Sequence, residues 1–269
     1  MIAALPMYDW PEVQPRLDAF WTDLAEDLHD LGIDAPASLS RPADLRSAWN
    51  APDLLVGQTC GLPYVSNRCG SARLLARPDF NLQGAHGGTY SSALICRADD
   101  DAATLGDFRS RTAAINEIGS QSGCNALADA VLDVSDADDP PFFAQVTRSG
   151  SHRSSADLVV GGTADLAAID AVAWALYAEV KPEHYARLRV INWTRPMPAL
   201  PYITAHGNSD VEDTLFGALS RVVLKHADVP HRLPLPVGVL AAVDTDYDPI
   251  RAMAVRVSGM RLAPGMPSL

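Results

Sequence analysis

The chain has 269 residues, 48% of them hydrophobic, with 33 acidic against 21 basic residues and a net charge of −12. That apolar content suits one large domain or two lobes and excludes a disordered chain. The acid excess excludes nucleic acid and anionic membrane surfaces as partners, since both need basic patches, so any anion site must be local and built from backbone dipoles and hydroxyls.

Residues 2–5 form a short apolar run, 6–11 a loop, and 12–31 a long helix. Val13, Leu17, Phe20, Trp21, Leu24 and Leu28 supply its buried face, and Gly32 ends it. No basic segment precedes a long apolar core here, and Asp9 arrives early for a signal peptide. The expectation is a cytoplasmic chain as the sequence stands, or a periplasmic one if a signal peptide has been trimmed. Residues 37–39 read as extended, 43–49 as helical and 53–56 as a buried strand. Ligands bind α/β sheets at loops leaving the carboxyl ends of strands, which makes Tyr8, Gln58 and Thr59 candidates. Residues 71–77 and 90–97 read as strands separated by a glycine-rich stretch at 84–88, and Asp99, Asp100 and Asp101 as a solvated turn.

The centre of the chain is 112–134, TAAINEIGSQSGCNALADAVLDV, an apolar strand running through a Gly-Ser turn into a helix. Cys124, Leu127, Ala128 and Val131 fall at i, i+3, i+4 and i+7, the stripe of an amphipathic helix. A helix start presents unpaired N–H groups and the positive end of the macrodipole, so Ser120 and Ser122 there form an anion cradle. The unit recurs. Residues 142–147 read as a strand, Ser149-Gly150-Ser151-His152 as a turn, and 154–160 as a helix ending at Gly161-Gly162. If the two strands are parallel, both turns open on the same edge, which capping alone does not explain. His152 at a helix start is disfavoured as a cation by the dipole unless an anion neutralises the site.

The acidic stretch 133–139 reads as a loop closed by Pro140-Pro141. Residues 163–169 read as a strand with Asp170 at its turn into helix 171–180, and 158–178 is too interrupted by glycine and aspartate to span a membrane. A strand at 188–193, a proline-rich return at 194–203, an amphipathic helix at 209–227, a strand-like 237–243 and an irregular tail complete the chain.

Several chemistries fail on spacing. The serine turn has Gln121 where a nucleophile elbow needs serine, and His86-Gly87-Gly88 alone is ordinary loop composition. Asp244, Asp246 and Asp248 begin like a calcium loop, but Pro249 and Val255 stand where glycine and glutamate are required. Neither a P-loop nor GxGxxG occurs. Cys60, Cys69, Cys96 and Cys124 have no zinc or redox spacing. Reduced, mostly buried thiols are expected, with a Cys60–Cys69 bridge open in an oxidising compartment. No metal or cofactor is expected.

The runs GSQSGCNAL (119–127), SGSHRSSADLVVGGTADLAAID (149–170) and INWTRPMPALPYIT (191–204) resemble the phosphate/phosphite/phosphonate substrate-binding proteins of ABC transporters, over nearly the whole chain. The resemblance implies an α/β type 2 periplasmic-binding-protein architecture, with two Rossmann-like lobes joined by two crossing strands and the ligand between them. Residues 1–90 and 196–269 would form one lobe and 91–195 the other. Ser120, Gln121 and Ser122 would hold phosphonyl oxygens, with Ser151 and His152 beside them and Tyr8, Gln58 and Thr59 facing them. Where members that bind aminoalkylphosphonates place carboxylates, this chain has Val172 and Leu200, and Asp170 nearby is not an obvious substitute. The implied partners are a small oxyanion and an ABC permease, with no membrane insertion, for a monomeric binding protein without catalysis. The alternatives are an intracellular enzyme using Cys60, Cys124 or His152, or a ligand sensor on the same fold.

Overall fold

The computed structural model describes residues 1–70, 72–136 and 140–269. Ser71, expected at the start of a strand, and residues 137–139 of the acidic loop lie outside the described residues. The chain divides into two compact units, the first made of Met1–Asn81, Ala85–Thr89 and Pro198–Asp248, the second of Leu82–Gly84, Tyr90–Met197 and Pro249–Leu269.

The first unit is built on a five-stranded mixed sheet ordered Ile2–Ala4, Leu54–Gln58, Tyr202–Thr204, Arg73–Asp79 and Gly238–Leu240. Its first two strands are parallel, and Tyr202–Thr204 runs antiparallel to both of its neighbours. The helix Gln14–Asp30 buries Leu17, Phe20, Trp21, Leu24 and Leu28, the face its spacing specifies. It shares one core with Leu215, Leu219, Val222 and Val223 of the helix Glu212–His226 and with Leu55, Val56 and Leu75 of the sheet. Trp21 donates its indole N–H to the Pro36 carbonyl at 2.8 Å, so the bulky ring is buried without an orphaned donor. Residues 37–39, expected to be extended, form no strand.

The second unit has a five-stranded sheet ordered Leu188–Trp193, Ser92–Arg97, Leu166–Asp170, Thr112–Ile115 and Gln145–Arg148. Thr112–Ile115 is parallel to both of its neighbours, while Ser92–Arg97 is antiparallel to its own. Leu166–Asp170 is buried throughout, which is why it reads as an uninterrupted apolar run. The strand expected over 142–147 begins only at Gln145. Phe142 and Phe143 before it are buried as an edge-to-face pair, and the Phe143 amide bonds the Leu262 carbonyl at 2.9 Å, drawn away from the ladder by the C-terminal segment.

That segment differs from its reading in two ways. Asp248–Arg256 is a helix, with Pro249 in its first turn and Ile250 and Met253 buried. It also groups with the second unit, where residues 249–269 had been assigned to the first lobe. Arg256 is paired with both Asp129 and Asp133, carboxylates that Arg195 also binds. This ties the last helix to the helix Ala126–Leu132.

Candidate anion site

In the second unit three parallel strands end on one edge. Thr112–Ile115 leads to Ser120–Ser122, Gln145–Arg148 leads to Ser151 and His152, and Leu166–Asp170 ends at Asp170 itself. The condition set for convergence of the two serine turns is therefore met.

The first turn is a single π-helical turn, Gln121–Asn125, running into the α-helix Ala126–Leu132. Such turns widen the backbone and recur at functional sites. Ser120 is its N-cap, accepting from the Gly123 N–H at 3.1 Å. Ser122 is not a cap: its Oγ lies 2.7 Å from His152 Nε2, and its carbonyl accepts from Ser92 Oγ at 2.9 Å. Gly123 makes this approach possible, because a Cβ there would fall on Asn116 Oδ1 and stand 3.2 Å from His152 Cε1. Asn116, which the sequence reading passed over, is the residue following the strand Thr112–Ile115, and its Oδ1 is buried without a partner.

His152 opens the helix His152–Val160, capped by Ser151, whose Oγ accepts from the Ser154 N–H at 3.0 Å. The residue is half-buried, and its Nδ1 is buried with no well-formed hydrogen-bond partner. Burial pushes its pKa from 6.5 down to about 4, and the Ala168 backbone offsets only part of this. The resting site is thus neutral, a set of hydroxyls and helix-start N–H groups around an uncharged imidazole.

The remaining second-unit candidates have other partners. The Gln121 side chain is fully buried and its Nε2 contacts Met253 Sδ at 2.9 Å, leaving its backbone N–H as the group available at the helix start. Asp170 caps the helix Ala171–Val180, its Oδ1 accepting from Val172 and Ala173 at 2.8 and 3.1 Å. Val172 itself is buried.

In the first unit, Tyr8 closes a 3-10 turn after Ile2–Ala4, and Gln58 ends the adjacent parallel strand, so both stand at a carboxyl edge. The Gln58 carbonyl accepts from Trp49 Nε1 at 3.0 Å, while its side-chain amide has no hydrogen bond among the described residues. Thr59 is fully buried, its hydroxyl 3.3 Å from the Cys60 carbonyl and 3.6 Å from Cys69 Sγ. No disulfide links the four cysteines, and burial pushes Cys69 up to about 11 and Cys124 to about 12, far from a reactive thiolate.

Among the described residues no helix is long and apolar enough to cross a membrane, and no cluster of three metal-ligating side chains occurs. The fold is that of solved substrate-binding proteins. A binding-protein component of an ABC phosphonate transporter from Pseudomonas aeruginosa aligns over 95% of this chain and 86% of its own, at 16% identity and a TM-score of 0.69. PhnD1 from Prochlorococcus marinus in complex with methylphosphonate aligns over 95% and 96%, at 14% identity and a TM-score of 0.69. A Xanthomonas citri protein bound to ATP aligns over 95% of both chains, at 18% identity and a TM-score of 0.66. Among curated proteins none matches. These likenesses define the class: an α/β protein of the type 2 periplasmic-binding-protein fold.

The model of the ABC transporter phosphonate periplasmic substrate-binding protein family matches residues 2–232, and the chain belongs to that family. It is a family of substrate-binding proteins that work with permeases, not one of enzymes.

Proposed function

We propose that this protein captures a small phosphate-, phosphite- or phosphonate-like oxyanion and presents it, as a periplasmic monomer, to an ABC permease. The observation that carries the reading is the 2.7 Å contact between Ser122 Oγ and His152 Nε2, which joins two helix starts from two parallel strands. The oxyanion's oxygens take hydrogen bonds from the Ser120 and Ser122 hydroxyls and from N–H groups of the π-turn, Gln121 included. Each charge-assisted bond contributes about 1.5–3 kcal/mol. His152 stands beside them, and Ser151 fixes it by capping its helix. Tyr8 and Gln58, at the carboxyl edge of their own sheet, are further ligand-binding candidates in this proposal, with Thr59 and Asp170 acting through the edges they hold.

Calorimetry and thermal shift with phosphate, phosphite, methylphosphonate and sulfate test it. A cognate ligand at a hundred times its dissociation constant adds about 2.7 kcal/mol of stability. Absence of any shift across that panel would overturn the reading.

A further inference from the structure

Two buried polar atoms beside the serine turns are left over, and they are complementary. His152 is bonded through Nε2 to Ser122 Oγ at 2.7 Å, while its Nδ1 is buried without a well-formed partner. Asn116 Oδ1 is a buried acceptor with no donor. Orphaned groups of this kind are rare in folded proteins, and each calls for a role. Gly123 brings the two to one gap: a Cβ there would fall on Asn116 Oδ1 and stand 3.2 Å from His152 Cε1, the ring carbon bonded to Nδ1. The main chain fixes Asn116 against the second turn, its carbonyl accepting from the Gly150 N–H at 2.9 Å and the Ile115 carbonyl before it from the Ser149 N–H at 2.8 Å. Charged groups on the elements around His152 are engaged elsewhere. Arg97 faces Asp100 and Asp165, Asp157 holds Lys181, Asp170 caps its own helix, and Glu117 is exposed near Arg148. Arg153 and Glu179 complete the charges on its own helix and on Ala171–Val180, and Cys124 in the π-turn is a neutral thiol.

We propose that Asn116 is a positioning residue of the anion site, whose side-chain carbonyl takes the Nδ1–H of His152 when a bound oxyanion draws a proton onto the imidazole. That proton comes from water, and with it both ring nitrogens are donors. Nε2–H donates to Ser122 Oγ, which leaves the serine's own hydroxyl proton free for the anion. Nδ1–H needs an acceptor of its own, and Asn116 Oδ1 is the orphaned acceptor beside the ring. The carboxamide turns about a broad terminal torsion, and rotation about it closes the gap. A neutral acceptor suits this position, because an aspartate would charge the ring in the empty site and repel the incoming anion. The inference rests on oxyanion capture at Ser120–Ser122 and lies wholly within the second unit.

The test is calorimetry on the whole chain with methylphosphonate and with phosphate, at pH 5.5 and pH 8, in buffers of different ionisation enthalpy. Comparing parent and variant at each pH cancels the ligand's own titration. Asn116→Ala, which keeps the main-chain bond to Gly150, should weaken binding about tenfold at pH 5.5 and leave it within about twofold at pH 8, with fewer protons taken up per ligand bound. Asn116→Asp puts a carboxylate beside the ring, and an NMR titration should find the His152 pKa of the empty protein raised from about 4 by about 1 or more. Thermal unfolding of both variants verifies that they fold. An unmoved His152 pKa in Asn116→Asp would overturn the inference and leave oxyanion capture standing. So would a loss of equal size at both pH values in Asn116→Ala, which marks a merely structural residue, or no loss at either. Failure of the parent to bind either ligand overturns capture at Ser120–Ser122 itself, and this inference with it.

Discussion

Acidification should unfold this protein partly through one histidine. His152 is held at a pKa of about 4 in the folded chain against 6.5 when exposed, because burial removes water from the imidazolium. Between those two values the unfolded chain binds a proton that the folded chain does not, so stability rises with pH across the window and falls as pH drops from about 6.5 to about 4. The span of about 2.5 units, at 1.36 kcal/mol each, sets a loss of about 3 kcal/mol attributable to this residue. Lowered carboxylates such as Asp133 and Asp157 lose their stabilisation at lower pH still, so the two effects separate. Urea unfolding of the parent and of His152→Gln from pH 7.5 to 4 measures it, with the difference between the two curves shrinking by about 3 kcal/mol in the parent's disfavour. A bound anion adds the complementary effect: its charge raises the histidine pKa, so binding takes up a proton and tightens as pH falls through the same window. A sulfonate, whose charge is constant over that range, removes the ligand's own titration, and calorimetry in buffers of different ionisation enthalpy counts the protons. Parallel stability curves for parent and variant, together with no proton uptake, would refute the argument and reduce His152 to a residue that merely opens its helix.

Ser122→Ala should weaken oxyanion binding by about tenfold or more in calorimetry while leaving the pH dependence of binding in place. Gly123→Ala should cost about 1–3 kcal/mol in chemical unfolding, since its methyl falls on Asn116 Oδ1, and Asn116→Gly should recover most of that loss. Asp129→Asn should destabilise by about 1–3 kcal/mol, below the range for fully buried pairs because Arg195 and Arg256 are partly exposed, and hydrogen exchange should show the helix Asp248–Arg256 loosened. Cys124 should resist alkylation at pH 8 in the native protein and react only at the unfolding rate, since it is fully buried and its thiol is pushed up to about 12.

The sequence by itself determined what depends on neighbours along the chain. The periodicity of residues 12–31 and 209–227 marked helices now seen as Gln14–Asp30 and Glu212–His226. The Gly-Ser turns at 119–123 and 149–152 marked two helix starts, because caps and turn residues act within a few positions of themselves. Tertiary structure decided what depends on long-range contact. Whether the two turns share an edge rests on the parallel pairing of Thr112–Ile115 with Gln145–Arg148, which composition does not encode. Likewise the neutral state of His152 comes from enclosure by protein rather than from the helix dipole that the sequence placed beside it. Asp170 and Thr59, equally plausible as ligand contacts on paper, turn inward to a helix start and a neighbouring carbonyl. The tail shows the division most clearly: it reads as irregular in the sequence, and contacts more than a hundred residues earlier, Met253 with Gln121 and Arg256 with Asp129 and Asp133, decide that Asp248–Arg256 packs in the second unit.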